Sequence, residues 1–116
     1  MAEERTKNLY VIRLGDSEDG ESILDHKKFM ARNPHYRRGG GKPCVYVGQT
    51  ALDPEERFRQ HKDGYKAGRG IAKKYGMHLM KKKYEPLNPV PASEALEREK
   101  ALARHLRRRG YAVWSN

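Results

Sequence analysis

Apolar residues in this chain are gathered into a few short segments, and this limits the folds open to it more than any other feature. Residues 9–14 and 44–48 are rich in β-branched and aromatic side chains, and each segment stops at a glycine, which is typical of β-strands. Hydrophobic residues make up 36% of the 116 positions, so the core must be small. We therefore predict one domain over residues 1–116, with these two strands paired at its centre.

Helix signals follow the second strand. Asp53, standing before Pro54 and two glutamates, predicts a helix that begins there and runs to about residue 62. Further along, we expect a second helix over 66–75, a third strand over 77–84, a last helix over 94–109 and a short strand over 111–114. Residues 16–43, between the first two strands, predict a loop-rich insertion with one short helix.

The last helix carries a glutamate on its apolar side. At about 100° per residue, Glu99 falls within the stripe formed by Ala95, Leu102 and Leu106, whereas Glu94 and Glu97 fall among arginines. A carboxylate that faces a core costs several kcal/mol unless it is paired, hydrogen-bonded or bound to a metal. The helix alone leaves two explanations open: metal or catalytic use, and pairing with a buried arginine or with tyrosines.

Four other residues are candidates for chemistry. Arg57 and His61 are four residues apart on the predicted helix and share one face. Tyr10 and Tyr46 each lie in a predicted strand, flanked by aliphatic residues. Taken singly, a buried tyrosine is usually a core residue and an exposed Arg and His usually have no function. Their occurrence as a set is what indicates a site.

Positive charge is concentrated in the second half of the chain. Lys and Arg number 25 against 15 Asp and Glu, a net charge of +10. Between residues 62 and 83 the sequence has a cluster of Lys and Arg residues and only one acidic residue, Asp63. The cluster consists of Lys62, Lys66, Arg69, Lys73, Lys74, Lys81, Lys82 and Lys83. Such a segment favours polyanions, nucleic acid first, because neutralised phosphates release counterions; a solvated surface is the alternative.

Other classes of protein fit poorly. The segment Gly39-Gly40-Gly41-Lys42 continues with Pro43 rather than Ser or Thr, so it is not a phosphate-binding loop of the Walker type. One cysteine, Cys44, and five histidines without ligand spacing disfavour structural zinc. No apolar run is long enough to cross a membrane, and the N-terminus lacks the layout of a signal peptide. We expect a soluble protein, cytoplasmic or nucleoid-associated, and not secreted.

The order of these motifs resembles the GIY-YIG endonuclease family. Asn8-Leu9-Tyr10 corresponds to the first signature and keeps its tyrosine, and Tyr46-Val47-Gly48 corresponds to the second. The segment 49–61, with Arg57 and His61, is similar to the family segment that carries its arginine. Residues 95–99 match the glutamate motif, and the match selects Glu99, the glutamate that the helical projection also selects. Gln49 stands where some relatives have a lysine.

The resemblance implies a divalent-metal-dependent phosphodiesterase acting on DNA. The implied fold is α+β, a small, mainly antiparallel three-stranded sheet flanked by helices. Glu99 would be the single protein ligand of one Mg²⁺ or Mn²⁺, while Tyr46, with Tyr10, would position or deprotonate the attacking water. Arg57 would stabilise charge in the transition state, and His61 would assist by proton transfer or phosphate contact.

DNA is the expected partner. Gly48 and Gln49 are expected to contact it together with the cations between 62 and 83. With one small domain, target selection is expected to need a homodimer or a partner protein. The alternative is a catalytically inactive, basic nucleic-acid-binding module of the same fold; it has less use for Glu99, which costs stability without aiding affinity.

Overall fold

A five-stranded sheet forms the centre of the protein in the computed structural model, which describes residues 5–64 and 70–115. The strands are β1 (Thr6–Leu14), β2 (Cys44–Thr50), β3 (Gly76–Leu79), β4 (Val90–Pro91) and β5 (Ala112–Ser115). Their order is β3-β1-β2-β5, and β4 pairs with the first residues of β1. The central pair, β1 and β2, is the one that the sequence predicts.

The sheet is mixed. Strand β1 is antiparallel to β2, β3 and β4, whereas β5 runs parallel to β2. The α+β class is therefore confirmed, and the antiparallel core β3-β1-β2 is present, but the sheet has five strands rather than three. The parallel edge arises because a long helix crosses the sheet before β5, and a crossover returns the chain in the same direction.

Within residues 5–64 and 70–115, four helices flank the sheet: α1 (Lys27–Ala31), α2 (Pro54–Lys62), α3 (Ile71–Tyr75) and α4 (Ala95–Arg108). Helix α2 begins as predicted, with the Asp53 carboxylate accepting a hydrogen bond from the Glu55 amide at 2.9 Å. The start of the predicted 66–75 helix, residues 66–69, lies outside the described residues. None of the helices in the described ranges is both long and apolar enough to span a membrane.

The predicted third strand is too long. Strand β3 ends at Leu79, and the Met80 amide donates to the Val11 carbonyl at 2.8 Å, after which Lys81–Lys83 forms a 3-10 turn. The predicted strand over 77–84 is therefore wrong beyond residue 79. Three consecutive lysines cannot alternate between a buried and an exposed face, so they leave the sheet.

The 16–43 segment consists mostly of turns and loops and contains one short α-helix, α1. This helix buries Phe29 completely. Asn33 then bonds the backbone of β5: its Oδ1 accepts from the Val113 amide at 2.8 Å and its Nδ2 donates to the Val113 carbonyl at 3.0 Å. These two bonds cover part of the exposed edge of β5 and tie the segment to the sheet.

The two faces of the sheet carry different residues. Tyr10 lies opposite Gly48, Ile12 opposite Tyr46, and Tyr46 opposite Trp114, so these side chains share one face. On the other face, a group of aliphatic side chains is almost fully buried, and this part is called the aliphatic face: Leu9, Val11, Val45, Val47 and Val113. Helix α4, which contacts β1, β2 and β5, covers this aliphatic face. Helix α2 lies over the face with the tyrosines.

Candidate active site

Two tyrosines and a histidine meet on the face under α2. The Tyr10 and Tyr46 rings are stacked, with centroids 6.1 Å apart and an interplanar angle of 22°. His61, in the last turn of α2, places Nε2 2.9 Å from the Tyr10 hydroxyl oxygen and sets its ring edge-on to Tyr46 at 5.2 Å. All three side chains are at most 2% exposed. They form one buried polar cluster, called here the tyrosine cluster.

Gly48 makes the position of Tyr10 possible. It lies opposite Tyr10 in the β1–β2 ladder. A Cβ at position 48 would lie 2.4 Å from the Tyr10 hydroxyl oxygen and 2.5 Å from Cζ. No side chain fits in that space. Gly48, in the second signature, therefore leaves the room that the side chain of Tyr10, in the first signature, occupies.

Arg57 adds positive charge beside the tyrosine cluster. It lies one turn before His61 on α2, is partly buried, and donates from Nη1 to the Gln60 Oε1 at 3.1 Å. Burial raises the pKa of the Tyr10 hydroxyl well above its usual value and Tyr46 raises it further, while the Arg57 guanidinium opposes the rise.

The histidine of the tyrosine cluster is neutral. Burial, together with the nearby Arg57 charge, lowers the pKa of His61 to about 4. At neutral pH the Tyr10 phenol is therefore hydrogen-bonded to an uncharged His61 imidazole. The tautomer of the imidazole determines which of the two groups donates the proton. The pair is a short path along which a proton can move.

Glu99 is buried on α4, as the helical projection predicts. Its side chain is 2% exposed, and within the described residues its Oε2 has no hydrogen-bond partner. Burial raises the pKa of the carboxyl to about 7, while Lys100 and Lys7 act in the opposite direction. A buried carboxylate oxygen without a partner is the environment that a cation would complete.

The donor set around Glu99 suits one particular kind of ion. The described ranges contain no group of three or more His, Cys, Asp or Glu able to hold a metal. A metal at Glu99 would therefore take a single protein oxygen, with water or phosphate supplying the rest. A hard divalent ion such as Mg²⁺ tolerates this arrangement, because it keeps much of its hydration shell. The residues present fit such a group.

The structure brings four of the five predicted catalytic residues together. Tyr10, Tyr46, Arg57 and His61 lie on the α2 face of the sheet. Glu99 lies on α4, which covers the aliphatic face. Lys7, at the start of β1, is the sheet residue whose positive charge lowers the pKa of Glu99.

Several predicted DNA-binding cations have partners within the protein. Lys62 donates to the carbonyls of Lys73 at 2.8 Å and Gly76 at 2.9 Å, which ties α2 to α3. Lys74 pairs with Glu21 at 2.5 Å, and Lys81 pairs with Glu55. The side chains of Lys73, Lys82 and Lys83 are exposed, Gln49 is partly buried and Gly48 is buried, while Lys66 and Arg69 lie outside the described residues.

Sequence reasoning missed Asn88. Its Oδ1 accepts from the Leu9 amide at 2.8 Å, and its Nδ2 donates to the Leu9 carbonyl at 2.7 Å. The Asn88 side chain therefore bonds the backbone of β1 as a neighbouring strand would, at the residue before Tyr10. An asparagine between Pro86 and Pro89 is the only sign of this in the sequence, and it predicts no more than a turn.

Comparison with known protein families places the chain in a family of endonuclease-type hydrolases. A profile described as the GIY-YIG catalytic domain matches residues 40–112, and the chain belongs to the GIY-YIG nuclease family, whose members generally use divalent metals. The match includes Tyr46, Arg57, His61 and Glu99, and it begins after Tyr10. Neither a curated protein nor a solved structure matches the chain.

Proposed function

We propose that this protein is a divalent-metal-dependent endonuclease that hydrolyses phosphodiester bonds in DNA. The observation that carries the proposal is the Glu99 carboxylate, which is buried and has an oxygen without a partner among the described residues. Glu99 is also the glutamate that the resemblance to the family selects. A module that only binds nucleic acid gains nothing from this residue, because a buried acid lowers stability without contacting phosphate.

The residues of the tyrosine cluster have different roles toward the attacking water. Burial keeps Tyr10 protonated, so its hydroxyl serves as a hydrogen-bonding partner for His61 rather than as a base. Tyr46 orients the water or, in its phenolate form, accepts the proton of the water, with His61 beside it to take part in proton transfer. Arg57 stabilises the charge that builds on the phosphate oxygens, a role that depends on a fixed guanidinium near the site.

Glu99 holds the metal in this proposal, as the single protein ligand of one Mg²⁺ or Mn²⁺. When bound, a divalent ion supplies Lewis acidity to a phosphate oxygen. The elevated pKa of about 7 means that the carboxyl of Glu99 exchanges its proton for the ion near neutral pH. Binding of the ion is therefore expected to strengthen as the pH rises through 7.

DNA is the proposed substrate, and the exposed lysines of the 62–83 segment contribute affinity without sequence preference. We also propose that the chain acts as one domain, since its strands share a single sheet and core. A homodimer or a partner protein would supply target selection, and the cytoplasm or nucleoid would be the place of action. The alternative is an inactive DNA-binding module of the same fold.

A cleavage assay separates the two functions. Wild-type protein is incubated with duplex, flap, branched and single-stranded DNA, with Mg²⁺, Mn²⁺ or EDTA, beside the Glu99→Gln variant and a matched Glu97→Gln control from the exposed side of α4. Cutting that needs metal and Glu99 but not Glu97 supports the nuclease. Salt-sensitive binding to DNA with no cutting of any substrate supports the module.

A second measurement tests whether the metal acts at the tyrosine cluster. Mn²⁺ is paramagnetic and broadens the NMR signals of nearby protons, so the His61 ring protons report on its distance. Broadening in wild type that disappears in Glu99→Gln supports one joint site. If amides of α4 around Glu99 broaden while the His61 ring stays sharp, the ion binds away from the cluster and the proposed mechanism is wrong.

A further inference from the structure

We propose that a groove between α4 and the Lys81–Lys83 turn is a second contact surface for the DNA backbone, separate from the tyrosine cluster. The groove has a volume of about 280 Å³ and a floor that includes two buried leucines of α4. Its other lining residues are Lys42, Lys82, Lys83, His105, Arg109 and Tyr111, and none of the acidic side chains that the structure describes lines it. We call it the basic groove.

Two ammonium groups in the basic groove are held over one aromatic ring. The Nζ atoms of Lys83 and Lys42 lie 5.2 Å and 5.4 Å from the centroid of Tyr111. The ring is 8% exposed and forms part of the wall. Gly110, with a φ of +96°, leaves room for the Lys42 stem, since a Cβ there would lie 3.2 Å from Lys42 Cγ. The cations are therefore positioned before any ligand arrives.

These cations are not neutralised within the described part of the chain. The ion pairs found there involve Lys74, Lys81 and Arg98, none of which lines the basic groove. Like charges gathered in one place repel one another and lower the stability of the fold. An anion bound in the groove removes that cost, so the arrangement favours an anionic ligand.

The positive surface continues beyond the basic groove. A neighbouring cavity of about 280 Å³ also touches Tyr111 and carries Arg32, His35, Arg107 and Arg108, again without an acid. A line of cations longer than one cavity suits a polymer with repeating phosphates better than a small free anion. A nucleic acid backbone is therefore the ligand that we assign.

The basic groove lies apart from the tyrosine cluster. Helix α4 forms one of its walls and covers the aliphatic face of the sheet, whereas the tyrosines face α2. DNA in the groove would be held at a second point, by a different length of backbone from the one being cut. The inference rests on the proposed function only in taking DNA as the partner, and it requires no cleavage.

Binding is measured in the Glu99→Gln background without divalent metal, so that affinity is scored apart from cutting. The groove variant K42Q/K83Q/R109Q is compared with K27Q/K28Q/R37Q, which removes the same charge from exposed cations outside the groove. We expect the groove variant to bind a fluorescent duplex about tenfold or more weakly at 0.1 M salt, with a log–log salt slope smaller by about 2 to 3. The control should change by less than about threefold.

Equal weakening of both variants would mean that only net charge matters and would overturn the assignment, as would unchanged binding by the groove variant. Thermal melting confirms that each variant is folded. Because Gln keeps most of the lysine stem, packing on Tyr111 and Gly110 is largely retained. If melting shows the groove variant unfolded, amide shift changes in wild type on adding the duplex decide the question, and shifts confined to the α2 face contradict the proposal.

The two proposals can fail separately. Wild-type protein that binds DNA through the basic groove but cuts no substrate refutes the nuclease and leaves the groove. Protein that cuts DNA while the groove variant binds normally refutes the groove and leaves the nuclease.

Discussion

Gly48 and Tyr10 face each other across the β1–β2 ladder, and the phenol of Tyr10 occupies the space in which a side chain at 48 would stand. The sequence predicts that this glycine contacts DNA. The structure shows the phenol of Tyr10 directly beside it. The glycine therefore serves the site indirectly, by letting Tyr10 reach His61.

Replacing Gly48 with alanine should displace Tyr10. The new Cβ would overlap the hydroxyl oxygen at 2.4 Å, so we expect a loss of about 1–3 kcal/mol in the free energy of unfolding, as in overpacked cores. Urea denaturation measures this. In a Tyr10→Ala background the same change should cost much less, because the overlap is gone; an equal cost in both backgrounds would contradict the explanation.

His61 should make the protein less stable in mild acid. Its folded pKa is about 4 against an ordinary 6.5, so between these values the unfolded chain takes up a proton that the folded protein refuses. The contribution of neutral His61 is complete above pH 6.5 and is lost as the pH falls toward 4, by about 1–3 kcal/mol. Denaturation at several pH values should show a weaker dependence in His61→Gln. Replacement of the exposed His35 should leave the dependence unchanged.

Glu99 should make the protein less stable as the pH rises. Its folded pKa of about 7 lies above the ordinary 4.5, so the folded protein is destabilised as the pH rises from 4.5 through 7, where the buried carboxyl must ionise. Without metal, Glu99→Gln should melt at a higher temperature than wild type at pH 8, and the difference should shrink toward pH 4.5. Added Mn²⁺ should raise the melting temperature of wild type and of the Glu97→Gln control, but not of Glu99→Gln. Stabilisation of Glu99→Gln by the ion would place the metal elsewhere.

Arg57 should affect cleavage far more than folding. Its side chain is partly buried and bonds Gln60 within the same helix, so little packing is lost on truncation. We expect Arg57→Ala to lower the single-turnover rate by about 100-fold or more, the range found for lost electrostatic stabilisation, while the melting temperature changes little. Arg59→Ala, an exposed neighbour on α2, serves as control; equal losses in both variants would assign the effect to DNA affinity.

Local signals in the chain predicted much of the fold. The Asp53–Pro54 cap placed the start of α2, and period 3.6 in the last helix placed Glu99 on a buried side, which the structure confirms. Both depend on residues within a few turns of each other. The end of β3 was missed, because the lysines that end it form a 3-10 turn that propensity alone does not reveal.

The sequence by itself determined the ends of α2 and α4, the central strand pair and the types of residue available for chemistry, since these follow from short-range periodicity and capping. Only the tertiary structure decided that β5 runs parallel to β2, that Asn88 holds the backbone beside Tyr10, and that Lys42 and Lys83 share the ring of Tyr111. Each of these contacts joins distant parts of the chain, and such contacts depend on which surfaces the whole core can bury at once.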